Sequence, residues 1–118
     1  MTSITPAQHQ AAFLRALADH LDAHPDLAPV RVLGGRRTDL QLCSAHTAAD
    51  LIAWARSLDI EQVHVQLISN NAYLHVFGEL PHGHRVDVWD VPVDLDPADF
   101  TDDTVVSLDD SRLSGGAR

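Results

Sequence analysis

Apolar residues along this chain follow two rhythms. Phe13, Leu14, Leu17, Ala18 and Leu21 recur at helical spacing, and so do Leu51, Trp54, Ala55 and Leu58. A one-sided stripe of that period predicts an amphipathic helix with one packed face. Both stretches carry a start signal. Thr5-Pro6-Ala7-Gln8 reads as a capping box, in which the Thr5 hydroxyl accepts from the Gln8 amide, Gln8 reaches back, and Pro6 occupies the first helical position. Thr47 with Asp50 repeats the signal before the second stripe, and His24-Pro25 ends the first.

Elsewhere the period is two. Val30 and Val32 flank Arg31, and Leu40 and Leu42 flank Gln41, which predicts a short hairpin joined through Gly34-Gly35-Arg36-Arg37. Val63–Ile68, Ala72–Leu80 and Arg85–Val91 predict a three-stranded meander whose turns fix the register. A two-residue turn at Asn70-Asn71 sets Leu67 opposite Leu74 and Val65 opposite Val76, and leaves His64 and His75 diagonal to each other. A three-residue loop at Pro81-His82-Gly83, with Gly83 left-handed, sets Val76 opposite Val88, Gly78 opposite Val86, Glu79 opposite Arg85 and His75 opposite Trp89.

These registers divide the meander into two unequal faces. Val63, Val65, Leu67, Leu74, Val76, Val86 and Val88 form an apolar side suited to seat the helices. His64, Tyr73, His75, Phe77 and Trp89 cluster on the other, together with Gln66, Ile68, Asp87 and Val91. The expected fold is therefore α+β, a two-layer sandwich in the order α-β-β-α-β-β-β, with both helices on one face of an antiparallel sheet. A single domain over residues 1–110 and a flexible tail over 111–118 complete it. Asp96-Pro97 predicts one short helical turn ending near Phe100, and Thr104–Leu108 could add an edge strand. Two covers are open to the ring-bearing face. The C-terminal segment can pack Phe100, or Val105 and Val106, across it, or a second chain can do so.

Charge narrows the choice of partner. The 118 residues carry 17 acids against 8 bases, all arginine, for a net charge of −9. A chain of that sign repels phosphate backbones, so nucleic acid is not an expected partner. No segment has the length and apolarity of a membrane span, the start has neither a basic nor an apolar run, and the single cysteine, Cys43, excludes an internal disulfide. A cytoplasmic protein with no membrane partner is expected. Arginine without lysine, beside abundant alanine and aspartate, suggests a high-GC bacterium.

Candidate chemistry is sparse. His20 and His24 are spaced i, i+4, yet the glutamate of an HExxH metalloprotease motif is missing, and His82 and His84 flank a turn where histidines are usually solvated. Cys43-Ser44-Ala45-His46 places a thiol near an imidazole without a third orienting group. Gly34–Arg37 could hold an anion, and Asp94-Leu95-Asp96 opens like a calcium loop but lacks the glycine and the closing glutamate. No cofactor or catalytic residue is expected from these. The leading expectation is a non-enzymatic protein-interaction module, homodimeric through His64, Tyr73, His75, Phe77 and Trp89. The alternatives are an acidic inhibitor, immunity-type or nucleic-acid-mimicking protein that blocks a basic site with its aspartate-rich segment, and an enzyme built on Cys43 and His46 or on a histidine-bound metal.

Overall fold

The computed structural model describes residues 4–33, 38–42 and 47–113. The expected Gly34–Arg37 turn, the Cys43–His46 pair and the last residues of the tail lie outside them. The fold of the described residues is α+β: two helices, α1 (Pro6–Ala23) and α2 (Ala48–Ser57), lie against one six-stranded sheet. Its strands are β1 (Val30–Leu33), β2 (Thr38–Leu42), β3 (Gln62–Ile68), β4 (Asn71–Leu80), β5 (His84–Asp90) and β6 (Thr104–Ser107), in the spatial order β1-β2-β5-β4-β3-β6. No helix among the described residues is long and apolar enough to cross a membrane.

Local chemistry sets the helix boundaries. The Gln8 amide donates to Thr5 Oγ1 at 3.1 Å and the Thr5 amide to Gln8 Oε1 at 2.8 Å, closing the capping box of α1. The start of α2 is held twice, by the Thr47 amide donating to Asp50 and by the Ala48 amide donating to Asp94 Oδ1 at 2.9 Å. The second bond comes from a residue that the sequence places in an acidic tail. The buried stripe of α1 runs through Phe13, Ala16 and Leu17, while Leu14 and Ala18 face water. The helix is thus turned by part of a residue step from the expected stripe, which brings His20 inward.

One pairing departs from the expected antiparallel sheet. Of the five strand pairings among the described residues four are antiparallel, but β2 runs parallel to β5, with Leu40 beside Val88 and Gln41 beside Trp89. After β2 the chain crosses over through α2 and re-enters the sheet at β3, three places along, so the β1–β2 hairpin fills the open side of β5. Leu40 and Leu42 are accordingly buried, whereas Val32 on the edge strand stays exposed.

The second turn of the meander has the expected register, with Val76 opposite Val88, Glu79 opposite Arg85, and Gly83 at φ 78°. The first does not. Its turn residues are Ser69 and Asn70, at φ 50° and 67°, and Val65 lies opposite Leu74 and Leu67 opposite Ala72. Positive φ at both central positions is the type I′ geometry that matches strand twist, and Ser69 adopts it despite being neither glycine nor asparagine. The slip is two residues, so every side chain keeps its face, but His64 now stands directly opposite His75.

Trp54, Leu51, Leu74, Val76, Val86 and Val88 fill the core between helices and sheet. The C-terminal segment joins that core. Asp96 caps the 3-10 turn Pro97–Asp99 by accepting from the Ala98 amide, and Phe100, Val106 and Leu113 are buried. The expected boundary at residue 110 therefore falls short of the packed chain, which includes Leu113 at 2% exposure. The Arg112 guanidinium donates to Asp110 and to the Asp99 carbonyl and lies 5.3 Å from the Phe100 ring centroid. Its hydrogen bonds lower the pKa of the Asp110 carboxyl to about 2.

A side-chain cluster ties α1 to α2. The Ser57 hydroxyl donates to the Trp54 carbonyl, which leaves its oxygen to accept from His20 Nε2–H at 2.9 Å, and the His20 ring stacks on Trp54. Burial first, and then the neighbouring His24, push the His20 imidazole below its ordinary 6.5. The neutral ring's contribution to stability is complete above pH 6.5 and is lost as pH falls from there through the lower folded-state value. Urea midpoints of wild type and His20→Gln, measured at pH 7.5 and pH 5.5, test this. The advantage of wild type over the variant is expected to shrink at the lower pH, and an advantage that stays constant or grows contradicts it.

Candidate functional site

Sheet alternation sends the odd-numbered residues of β4 and β5 away from the helices, so the outer face is dictated by register alone. One row of residues crosses all six strands: Arg31, Gln41, Trp89, His75, His64 and Val105, each paired with the next. His75 stands near its centre. Its Nδ1–H donates to the Asp87 carboxylate, at 2.9 Å to Oδ2 and 3.0 Å to Oδ1, and its Nε2 lies 3.0 Å from Gln66 Oε1. The side chains of His75 and Asp87 are 16% and 12% exposed, so this pair is largely withdrawn from water.

Rings surround that polar centre. Phe77 stacks on His75 with planes 10° apart and meets His64 edge-on at 4.7 Å between centroids; Trp89 lies 6.2 Å from His75 and 5.8 Å from Tyr73. All five residues expected on this face are therefore brought together there, and each remains half-buried rather than covered. The sequence did not single out Gln66 and Asp87 as the groups that fix His75. Their place on the same face, with Asp87 opposite Phe77, was the available signal.

The described part of the C-terminal segment does not cross this face. β6 extends the sheet edge instead of crossing it: Val106 enters the core beside Val63, and Val105, 45% exposed, ends the outer row next to His64. Phe100 and Leu113 are committed to the core. Of the residues that the C-terminal cover would use, Phe100 and Val106 are spent in the core and Val105 reaches only the rim.

Chemically, an imidazole locked between a carboxylate and an amide is a positioned ring. Gln66 occupies the place beside Nε2 that a hydroxyl or thiol nucleophile would need for activation by this base. Beside it an open pocket of about 410 Å³ is lined by His64, Gln66, His75, Phe77, Asp102 and Asp103. Among the described residues no three His, Cys, Asp or Glu side chains come together as a metal site needs.

Among the described residues, the other histidine candidates and Asp94 lie away from this face. His24 Nδ1–H donates to the His20 carbonyl, so that pair belongs to the end of α1. His82 is exposed at the turn, whereas His84 points the opposite way into the core edge, against Phe13 and His9. Asp94 of the calcium-like triplet is taken by the Ala48 amide. No family model, curated protein or solved structure matches the chain.

Proposed function

We propose that this chain is a small non-enzymatic protein-interaction module that pairs with a second copy of itself through the outer face of its sheet. One observation carries the reading: Tyr73, Phe77 and Trp89 cluster around His75 on a face that no described segment covers, while Phe100, Val106 and Leu113 of the C-terminal segment are turned into the core. A contiguous patch of half-exposed rings is the usual mark of an interface, and a two-fold axis lets one patch serve both partners. The fixed His75–Asp87 pair supports it further, because a ring already held in place loses little conformational freedom on docking. The aspartate-blocking alternative has less support, since Asp94, Asp96, Asp102 and Asp110 all accept bonds within the fold.

Sedimentation equilibrium of wild type and Trp89→Asp tests the proposal. Wild type is expected to run as a dimer at micromolar concentration. The variant places a carboxylate in the ring cluster of both copies, and its dissociation constant is expected to rise by at least about thirtyfold, the ~2 kcal/mol of a hot-spot residue. A monomeric wild type, or a variant that dimerises equally well, defeats the proposal. Circular dichroism of the variant checks that the half-buried outer position has been changed without unfolding the chain.

A further inference from the structure

The outer face carries its charges in a pattern that selects one way of stacking two copies. Resting on the homodimer reading above, we infer that the two-fold axis runs parallel to the strands and passes between β4 and β5, so that Glu79 of each copy faces Arg85 of the other.

The strand order places β5 and β4 at the middle of the six, with β1 and β6 at opposite ends. For two sheets stacked face to face, an axis along the strands exchanges left and right while preserving position along each strand. β4 of one copy then lies over β5 of the other. Glu79 and Arg85 are register partners, so the operation sets the Glu79 carboxylate over the second copy's Arg85 guanidinium, and the reverse. His75 meets Trp89 in the same way, and the Arg31 end of the row falls over the Val105 end, beside the acidic Asp102-Asp103 turn.

The competing axis, perpendicular to the strands along the central row, preserves left and right. It stacks Arg31 on Arg31 and His75 on His75, placing like on like. Opposite charges facing across an interface are favourable, and like charges cost enough to exclude an arrangement. Both axes are compatible with aligned sheet packing, so charge decides between them.

The face is large enough. Six strands at ~4.8 Å span about 29 Å, and the seven residues of β3 at ~3.3 Å span about 23 Å, for roughly 650 Å² of plan area. That approaches the ~800 Å² each partner buries in a stable interface of ordinary size. Glu79 and Arg85 are 61% and 69% exposed and form only a loose intrachain pair at 3.8 Å, so both can turn toward a second sheet.

A charge-swap experiment tests the orientation. Glu79→Arg and Arg85→Glu are made separately, each fold is confirmed by circular dichroism, and each protein is run in sedimentation velocity alone and as an equimolar mixture. Each variant alone brings four like charges together across the axis, and its dimer dissociation constant is expected to rise about tenfold or more over wild type. The mixture is expected to form a heterodimer of near wild-type affinity, because at these two positions every arginine of the Glu79→Arg copy then faces a glutamate of the Arg85→Glu copy. If wild type dimerises but the single variants are unaffected, or if mixing restores nothing, the orientation is overturned and the dimer stands. If wild type is a monomer, both readings fall.

Discussion

Trp54→Ala is expected to lower stability by about 3–5 kcal/mol, the range for truncating a large buried ring. Trp54 is fully buried on α2, stacks on His20 from α1, and donates its indole N–H to the Ala28 carbonyl at 2.9 Å. The substitution therefore opens a cavity, removes the ring contact with His20 of α1, and leaves a carbonyl without its donor. Against a total of about 5–15 kcal/mol for a domain, that loss brings the fold close to its limit. Urea denaturation followed by circular dichroism measures it. Trp54→Phe keeps most of the ring and loses the N–H, and its midpoint is expected between the other two. A loss below about 1 kcal/mol for Trp54→Ala contradicts the central role given to this side chain.

The second large effect is expected in a place that composition marks as frayed. Leu113 is buried in the core cluster, and Leu113→Ala is expected to cost about 2–5 kcal/mol, in line with other buried leucines. Asp110 and Arg112 hold the chain in position for that burial, through the guanidinium fork and its contact with Phe100. The same denaturation assay decides it, with Leu14→Ala as comparison, because Leu14 is 43% exposed on the wet side of α1 and its loss is expected to be small. Equal, small effects at both positions would show that the last turn does not contribute to the core.

Much of the architecture was legible because it is written in short-range periodicity. The capping residues Thr5 and Gln8, the stripe around Trp54, and the Gly83 turn each depend on neighbours a few positions away, and the structure follows them. The ring cluster was legible for the same reason: once Pro81–Gly83 fixes the pairing, His75 must stand beside Trp89.

What escaped the sequence depends on partners far along the chain. Nothing in Thr38–Leu42 says that its neighbour will be β5, or that the two will run parallel, because an alternating strand reads alike in both directions. The turn at Ser69 was missed because serine seldom takes positive φ, while the adjacent Asn70-Asn71 advertises it. The aspartates after Val93 stand out in sequence only as an acidic segment, yet Asp94 caps a helix that starts 46 positions earlier and Asp102 accepts from the Leu67 amide 35 positions earlier. A carboxylate's partner across such a distance leaves no local trace. For the same reason the pairing of His75 with Asp87, twelve positions apart, was visible only as two residues on one face.

The bond to Asp102 has a consequence for how this molecule can associate. β6 covers β3 only as far as Val65, so the remaining length of β3 would present a bare N–H at Leu67 to any passing strand. Exposed donors of that kind template runaway strand addition, which ends in fibres. Here the donor is already occupied at 2.7 Å by a side chain that carries negative charge to the rim. On the dimer reading proposed above, this blunted border leaves a closed face-to-face pair, rather than open-ended addition of strands, as the way two copies meet.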